Sequence, residues 1–347
     1  MGVVMRHLKC ITLAVLTFVV GQASAQTQYS RAIVFGDSLS DNGNLHYPIT
    51  AYPTLTLYEA TDGQVWAEQL FGPLDNTHTT SNPNGGNLDL AFGGADTGTT
   101  SVLHPSTQDQ INSFVAAGGT ISSQDIVSLW VGGNNIGNTL NLGSTPASMA
   151  VVTTAAASDI NSQLNQLAGL GARTIIVPNL PDPSSLLLYA GGPLAPLAAT
   201  SGSQLNAAVL ATVQTFSATN PTVNIVYVDQ AALYQAVLAN PASFGFSNTT
   251  QSCYLTPSCL SSPAVWNSYF FWDNVHPTAS MHALLAANVA ENLNAPNRAV
   301  AVFSAMTSRA VAGRRNSALS SLDALDQQQP DPDHWRYWVS AAGETGK

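Results

Sequence analysis

Charge is what this sequence has least of. Only 9% of its residues are Asp, Glu, Lys or Arg, against roughly 25% in an average soluble protein. Cations are the scarcer half, ten Lys+Arg against twenty Asp+Glu, for a formal charge of −10. A surface so poor in cations is a bad counterion for phosphate, which argues against nucleic acid as a partner. Low charge beside 45% hydrophobic residues is the reverse of the balance that keeps a chain disordered. A membrane-length apolar run is missing too: the stretch 10–20 has eleven residues, and a span needs about 20. No repeat of 20–50 residues is visible.

What is present begins with a targeting segment. Arg6 and Lys9 form a basic region, residues 10–20 an apolar one, and Ala23-Ser24-Ala25 a small-residue cleavage signature. Residues 1–25 therefore read as a signal peptide cleaved near Ala25, and the mature protein as secreted or held at the cell surface. Cys10 follows His7-Leu8-Lys9 rather than a lipoprotein-type small-residue box. With Cys10 removed, Cys253 and Cys259 remain. In an oxidising compartment they read as one disulfide closing a small loop, and two cysteines are too few for a structural zinc site.

Short apolar runs at 32–35, 125–131, 174–177 and 223–228 alternate with helical patterns at 149–170, 204–217 and 281–293. Strands alternating with helices at this spacing predict an α/β domain, a three-layer α/β/α sandwich around a central parallel sheet. Residues 297–325 read as a long Ala-rich helix, 327–333 as a linker, and 334–347 as an aromatic, strand-like ending. The expected organisation is a signal peptide 1–25, a domain 26–296 and a tail 297–347.

Four short blocks hold the residues suited to chemistry. The first is Phe35-Gly36-Asp37-Ser38-Leu39-Ser40-Asp41-Asn42-Gly43-Asn44. A Ser directly after a buried strand stands at the carboxyl edge of the sheet, where open α/β folds bind ligands. A sharp turn into a following helix would point the Ser38 N–H and Oγ the same way, so the N–H could serve an oxyanion. Taken alone, the same residues fit a helix-capping turn. The last block is Asp273-Asn274-Val275-His276-Pro277. A carboxylate three residues before a His can bond Nδ1–H and leave Nε2 as general base. Pro277 disfavours helix at His276 and suits a helix starting near Thr278. An Asp capping a helix beside an incidental His is the plain alternative. His276, His282 and Asp273 are metal-ligand types, but no third strong ligand lies near. Between these blocks, Gly93-Gly94 and Gly132-Gly133-Asn134-Asn135 follow strand-like segments. Either could bring backbone N–H groups close to a ligand or simply turn the chain. Neither has the spacing or the Lys of a phosphate-cradling loop.

In this order, over roughly residues 30–296, the four blocks resemble the GDSL lipase/esterase family, the SGNH hydrolases. The resemblance implies the same flavodoxin-like sandwich and assigns roles. Ser38 would be the nucleophile, His276 the base and Asp273 its partner. The N–H groups of Ser38 and Gly94, with the Asn134 amide, would form the oxyanion hole, and Gly93 is the fallback one position away. Two positions depart from the family pattern: Asn135 stands where Asp is usual, and Asp89 where Asn is usual. Trp66, in a Trp-containing helix common in the family, reads as core packing.

The implied activity is a secreted serine esterase or lipase acting on small-molecule or lipid esters, with no metal or organic cofactor. Acyl transfer or polysaccharide deacetylation on the same site, a surface binding module without turnover, and a metal-dependent phosphodiesterase are the other readings. The loops 45–61 and 181–200 are the expected pocket walls, and the second is apolar enough to line an acyl pocket. The tail resembles the junction of an autotransporter esterase, where a helix threads a β-barrel. A barrel needs at least eight strands, so outer-membrane association is expected only where a barrel follows in a longer protein.

Overall fold

Five short strands assemble into one parallel sheet in the computed structural model, which describes residues 29–45, 60–77, 81–98 and 104–294. The expected signal peptide, most of the 45–61 loop and the tail from 297 onward lie outside the described residues. The strands are β1 (Ala32–Gly36), β2 (Leu88–Asp89), β3 (Ile126–Trp130), β4 (Thr174–Pro178) and β5 (Asn224–Val228). β1 and β3 are buried along their whole length. Continuous rather than alternating apolar runs are what a sheet covered on both faces requires.

Among the described residues there are eight helices: α1 (Trp66–Phe71), α2 (Thr107–Ala116), α3 (Gly133–Thr139), α4 (Pro146–Gly169), α5 (Ala195–Thr219), α6 (Gln230–Ala239), α7 (Pro263–Trp266) and α8 (Ala279–Leu293). α2, α3, α4 and α5 contact one another in one layer, while α1 and α6 meet α8 in the other. A single apolar cluster runs through both interfaces, from Phe35 and Trp130 to Leu164, Val213 and Leu285. The predicted three-layer sandwich is the observed fold.

Strand order is β2-β1-β3-β4-β5, the flavodoxin-like order, whose direction reverses between β1 and β3. The crevice at that reversal lies at the carboxyl ends of β1 and β3, so the loops after them form its walls. A second, two-stranded parallel sheet pairs β6 (Asn248–Ser252) with β7 (Tyr269–Phe271). It carries the Cys253–Cys259 disulfide on a small core of its own with Tyr269 and Trp272.

Two local expectations are corrected. No helix follows Ser38 directly: residues 37–45 form turns, with Ser40 N–H and Asp41 N–H both donating to the Asp37 carbonyl at 3.0 and 3.1 Å. Asp37 Oδ1 also accepts the Leu39 N–H at 3.1 Å, so this block's own side chains hold the turn closed. The helix expected to begin at 204 begins at Ala195, which makes the end of the 181–200 segment helical instead of a loop. Pro196 near its start pre-sets the first turn. The helix expected near Thr278 does begin there: α8 starts at Ala279 with Thr278 as its N-cap, and Pro277 lies just before it in an antiparallel bridge to Phe271.

Candidate active site

The first and last blocks meet. Ser38 follows β1 at the reversal point, and the 273–276 loop follows β7. That loop is tied across its base by Trp272 N–H donating to the His276 carbonyl at 2.8 Å. Asp273 Oδ1 accepts the N–H groups of Val275 and His276, both at 2.7 Å, an Asx-type turn that fixes the carboxylate. Its other oxygen, Oδ2, stands 2.7 Å from His276 Nδ1, and His276 Nε2 stands 2.8 Å from Ser38 Oγ. With Asp273 ionised, Nδ1 donates to it and Nε2 is left to accept the Ser38 proton.

Electrostatics agree with that direction. Burial alone would push the His276 pKa down, but the Asp273 carboxylate, bonded to its ring, and the charge of Asp37 more than offset this, and the net shift is up. Burial likewise acts to raise Asp273, and its contacts with His276 and two backbone N–H groups bring it below the usual carboxylate value. Asp37, 3% exposed, is pushed up to about 6 by burial, against the Leu39 N–H and the His276 charge.

A second set of groups could stabilise an anion. Phe92, Gly93, Gly94 and Ala95 form a turn closed by Ala95 N–H to the Phe92 carbonyl at 3.0 Å. Gly94 sits at its third position with φ +82°, which is where a type II turn needs glycine. Gly93 N–H donates to Asp41 Oδ2 at 2.6 Å, so it is already committed, whereas Gly94 N–H and Ser38 N–H have no partner among the described residues. Asn134 lies in the first turn of α3, after β3, and its Nδ2 donates one hydrogen to the Ala95 carbonyl at 2.9 Å. The bond aims the amide and leaves its second hydrogen over. Both N–H groups and the amide thus come from segments at the carboxyl ends of β1, β2 and β3.

The two departures from the family pattern have partners of their own. Asn135 Oδ1 accepts Thr97 N–H at 3.1 Å while its Nδ2 donates to Thr97 Oγ1 at 2.9 Å. Thr97 Oγ1 in turn donates to Asp159 Oδ2 at 2.7 Å. Asp89, fully buried, accepts Asn42 N–H at 2.7 Å and Ala91 N–H at 2.8 Å. Burial and the charge of Asp41 hold its pKa well above the ordinary value.

Trp66 is fully buried against Trp130 and Phe71, and its Nε1 donates to Ser40 Oγ at 3.0 Å. His282 is buried, and its Nδ1 accepts the Trp66 N–H at 3.1 Å. The cysteine pair is disulfide-bonded as expected. Leu188 N–H donates to the Asn274 carbonyl at 3.0 Å, which puts the apolar 181–194 segment beside the His276 loop.

Sequence reasoning passed over Asp41, Asn44 and Gln110. Gln110 clamps Gly36 with both ends of its amide, accepting Gly36 N–H at 3.0 Å and donating to its carbonyl at 2.8 Å. It lies 74 positions away in the chain, and no local pattern marks it. Asp41 and Asn44 stand inside the first block, and only their bonds distinguish them from ordinary turn residues.

The profile of the GDSL-like lipase/acylhydrolase family matches residues 33–289. Lipase 1 of Photorhabdus luminescens is 26% identical over 88% of this chain and 56% of its own length. The phosphatidylcholine-sterol acyltransferase of Aeromonas hydrophila is 23% identical over 79% of this chain and 93% of its own. This chain thus spans just over half of the first relative. Among solved structures, the acetylxylan esterase Axe2 of Geobacillus stearothermophilus superposes with a TM-score of 0.42 at 16% identity, covering 77% of this chain and 96% of that one. The match of a single family profile across all four blocks decides the matter: this chain belongs to the GDSL-like lipase/acylhydrolase family.

Proposed function

We propose that this protein is an exported serine hydrolase of carboxylic esters, with residues 26–296 as its catalytic domain. The observation that carries the reading is the line Ser38 Oγ, His276 Nε2, His276 Nδ1, Asp273 Oδ2, with steps of 2.8 and 2.7 Å. Ser38 Oγ attacks the ester carbonyl as His276 Nε2 takes its proton, and Asp273 stabilises the imidazolium. The carbonyl oxygen, now an anion, accepts hydrogen bonds from Ser38 N–H, Gly94 N–H and the second Asn134 amide hydrogen. Donors of this kind are each worth roughly 10²–10³ in rate. His276 returns the proton to the leaving alcohol and an acyl-Ser38 ester remains. Water, deprotonated by His276, attacks that ester through a second oxyanion, and collapse frees the carboxylic acid and restores Ser38. Every step uses groups of this chain and water alone.

The substrate class is a small-molecule or lipid ester, with the apolar 181–194 segment as one wall. Export with loss of residues 1–25 fits the buried disulfide. Treatment with an aryl alkylphosphonate tests the reading. The expected result is a covalent phosphonyl adduct, one per chain, on the peptide carrying Ser38. An adduct elsewhere, or none, contradicts it.

The acyltransferase relative supports a second reading, in which an alcohol replaces water in the second half-reaction. Product analysis with and without an added long-chain alcohol separates the two: free acid alone means hydrolysis, and a new ester means transfer.

A further inference from the structure

We infer that Asp41, which takes no part in the proton transfers, is a positioning residue that holds the oxyanion-hole turn to the nucleophile turn. The inference rests on the ester-hydrolase reading of the site. Asp41 is 3% exposed, and a buried carboxylate is costly unless its lone pairs are filled. They are filled by backbone alone. Oδ1 accepts Gly43 N–H at 2.8 Å and Asn44 N–H at 2.5 Å, and Oδ2 accepts Leu45 N–H at 3.1 Å and Gly93 N–H at 2.6 Å.

Three of these bonds close the turn that Asp41 itself belongs to, and the fourth crosses to the other loop. Through its own N–H, Asp41 is also tied to the Asp37 carbonyl at 3.1 Å. One residue therefore reaches the neighbour of Ser38 with its backbone and the neighbour of Gly94 with its side chain. Those are the two proposed N–H donors of the hole. An error in their separation falls directly on the oxyanion, where a displacement of about 1 Å is costly.

The surroundings reinforce the crossing bond. Asn42 N–H donates to Asp89 Oδ2, and Asn44 Nδ2 donates to the carbonyls of Asp89 and Ala91 at 3.0 and 2.8 Å. Leu45 packs so tightly on Gly93 that a Cβ there would lie 2.6 Å from Leu45 Cδ2. The residues 41–45 and 89–93 are thus joined like two paired strands, but through side chains. Only a carboxylate fits position 41: it accepts on both oxygens, whereas an amide would aim its NH₂ at two of the four N–H groups.

The test compares the wild type, Ser38→Ala and Asp41→Asn on p-nitrophenyl butyrate, with fold checked by circular dichroism and active sites counted by burst titration. A merely structural role lowers the titrated fraction and leaves the turnover of each site intact. The expected result for Asp41→Asn is a roughly 10–100-fold loss of kcat per titrated site with KM within about twofold, since the lost contact acts on the transition state. Wild-type kcat per site in Asp41→Asn, beside an inactive Ser38→Ala, overturns the positioning role and leaves the hydrolase reading standing. Full activity in Ser38→Ala overturns the hydrolase reading, and this inference with it. If Asp41→Asn does not fold, amide resonances of the wild type decide. On adding an alkyl boronic acid, which forms a tetrahedral adduct with a nucleophilic Ser, the Gly94 N–H should move and the Gly93 N–H stay. Movement of Gly93 with Gly94 unmoved would overturn the inference.

Discussion

His276 Nε2 lies 2.8 Å from Ser38 Oγ although 238 positions separate them in the chain. The sheet order makes the meeting possible, because β1 ends at the reversal point and the β7 loop folds back over the same edge. Asp273 uses its two oxygens for different ends: Oδ1 shapes the loop through two backbone N–H groups, and Oδ2 faces the imidazole. The acid therefore builds the turn that presents the base.

Only neutral His276 can accept the Ser38 proton, and the Asp273 carboxylate holds its pKa above the ordinary histidine value of about 6.5. Activity should therefore rise with pH through an inflection above 6.5 and be lost as the imidazole protonates. In Asp273→Asn the main upward influence is gone, so that inflection moves down while kcat falls roughly 10²–10⁴-fold. A kcat/KM profile from pH 4 to 9 for both proteins checks this. An unshifted inflection in the variant contradicts it.

His282 is 1% exposed, and burial, followed by the charge of His276, pushes its pKa down to about 3. In the unfolded chain it protonates near 6.5, so between those values the unfolded state binds the extra proton. The stability that His282 contributes is full above 6.5 and is lost as pH falls towards 3, at up to about 1.4 kcal/mol per pH unit. Raised carboxylates such as Asp89 push the opposite way, so the comparison with His282→Gln isolates the histidine. Urea midpoints between pH 4 and 7 should fall more steeply for the wild type than for the variant. Parallel curves would refute the assignment.

Asn135 both accepts from and donates to Thr97, whose hydroxyl is already spent on Asp159. Restoring the usual family residue, Asn135→Asp, removes the donor and adds a carboxylate near Asp159. The expected cost is about 1–3 kcal/mol, read as a lower melting temperature, with kcat reduced because Thr97 closes the loop after Gly94. A more stable variant would contradict this.

Cys253 N–H and Tyr254 N–H donate to the carbonyls of Phe271 and Trp272, directly before Asp273, and the Cys253–Cys259 bond is fully buried beneath them. Opening so small a loop by Cys253→Ser with Cys259→Ser should cost roughly 2 kcal/mol. It should also lower kcat, because Trp272 carries the strand into the catalytic turn. Unchanged kcat in a folded double variant would show that the staple does not reach the site.

Much of this was legible in the chain. The apolar runs at β1, β3, β4 and β5 marked the sheet because strands buried on both faces cannot alternate. Asp273-x-x-His276 marked its own turn, because a carboxylate at that spacing reaches both the backbone and the ring. Other features depended on partners far away in sequence. Nothing local says that Gln110 clamps Gly36 or that Asp41 holds Gly93, since a side chain bonding a distant backbone leaves no periodicity. The choice between Gly93 and Gly94 was open for the same reason: both are glycines, and only the bond to Asp41 separates them. The early start of α5 was hidden by Gly191, Gly192, Pro193 and Pro196, which punctuate a chain as readily as they begin a helix.

The most direct measurement is hydrolysis of p-nitrophenyl butyrate and p-nitrophenyl palmitate by the mature protein beside a folded Ser38→Ala variant. The account predicts turnover of at least one ester by the wild type and its loss in Ser38→Ala, with the butyrate-to-palmitate ratio reporting the acyl preference. Equal hydrolysis by both proteins would contradict it.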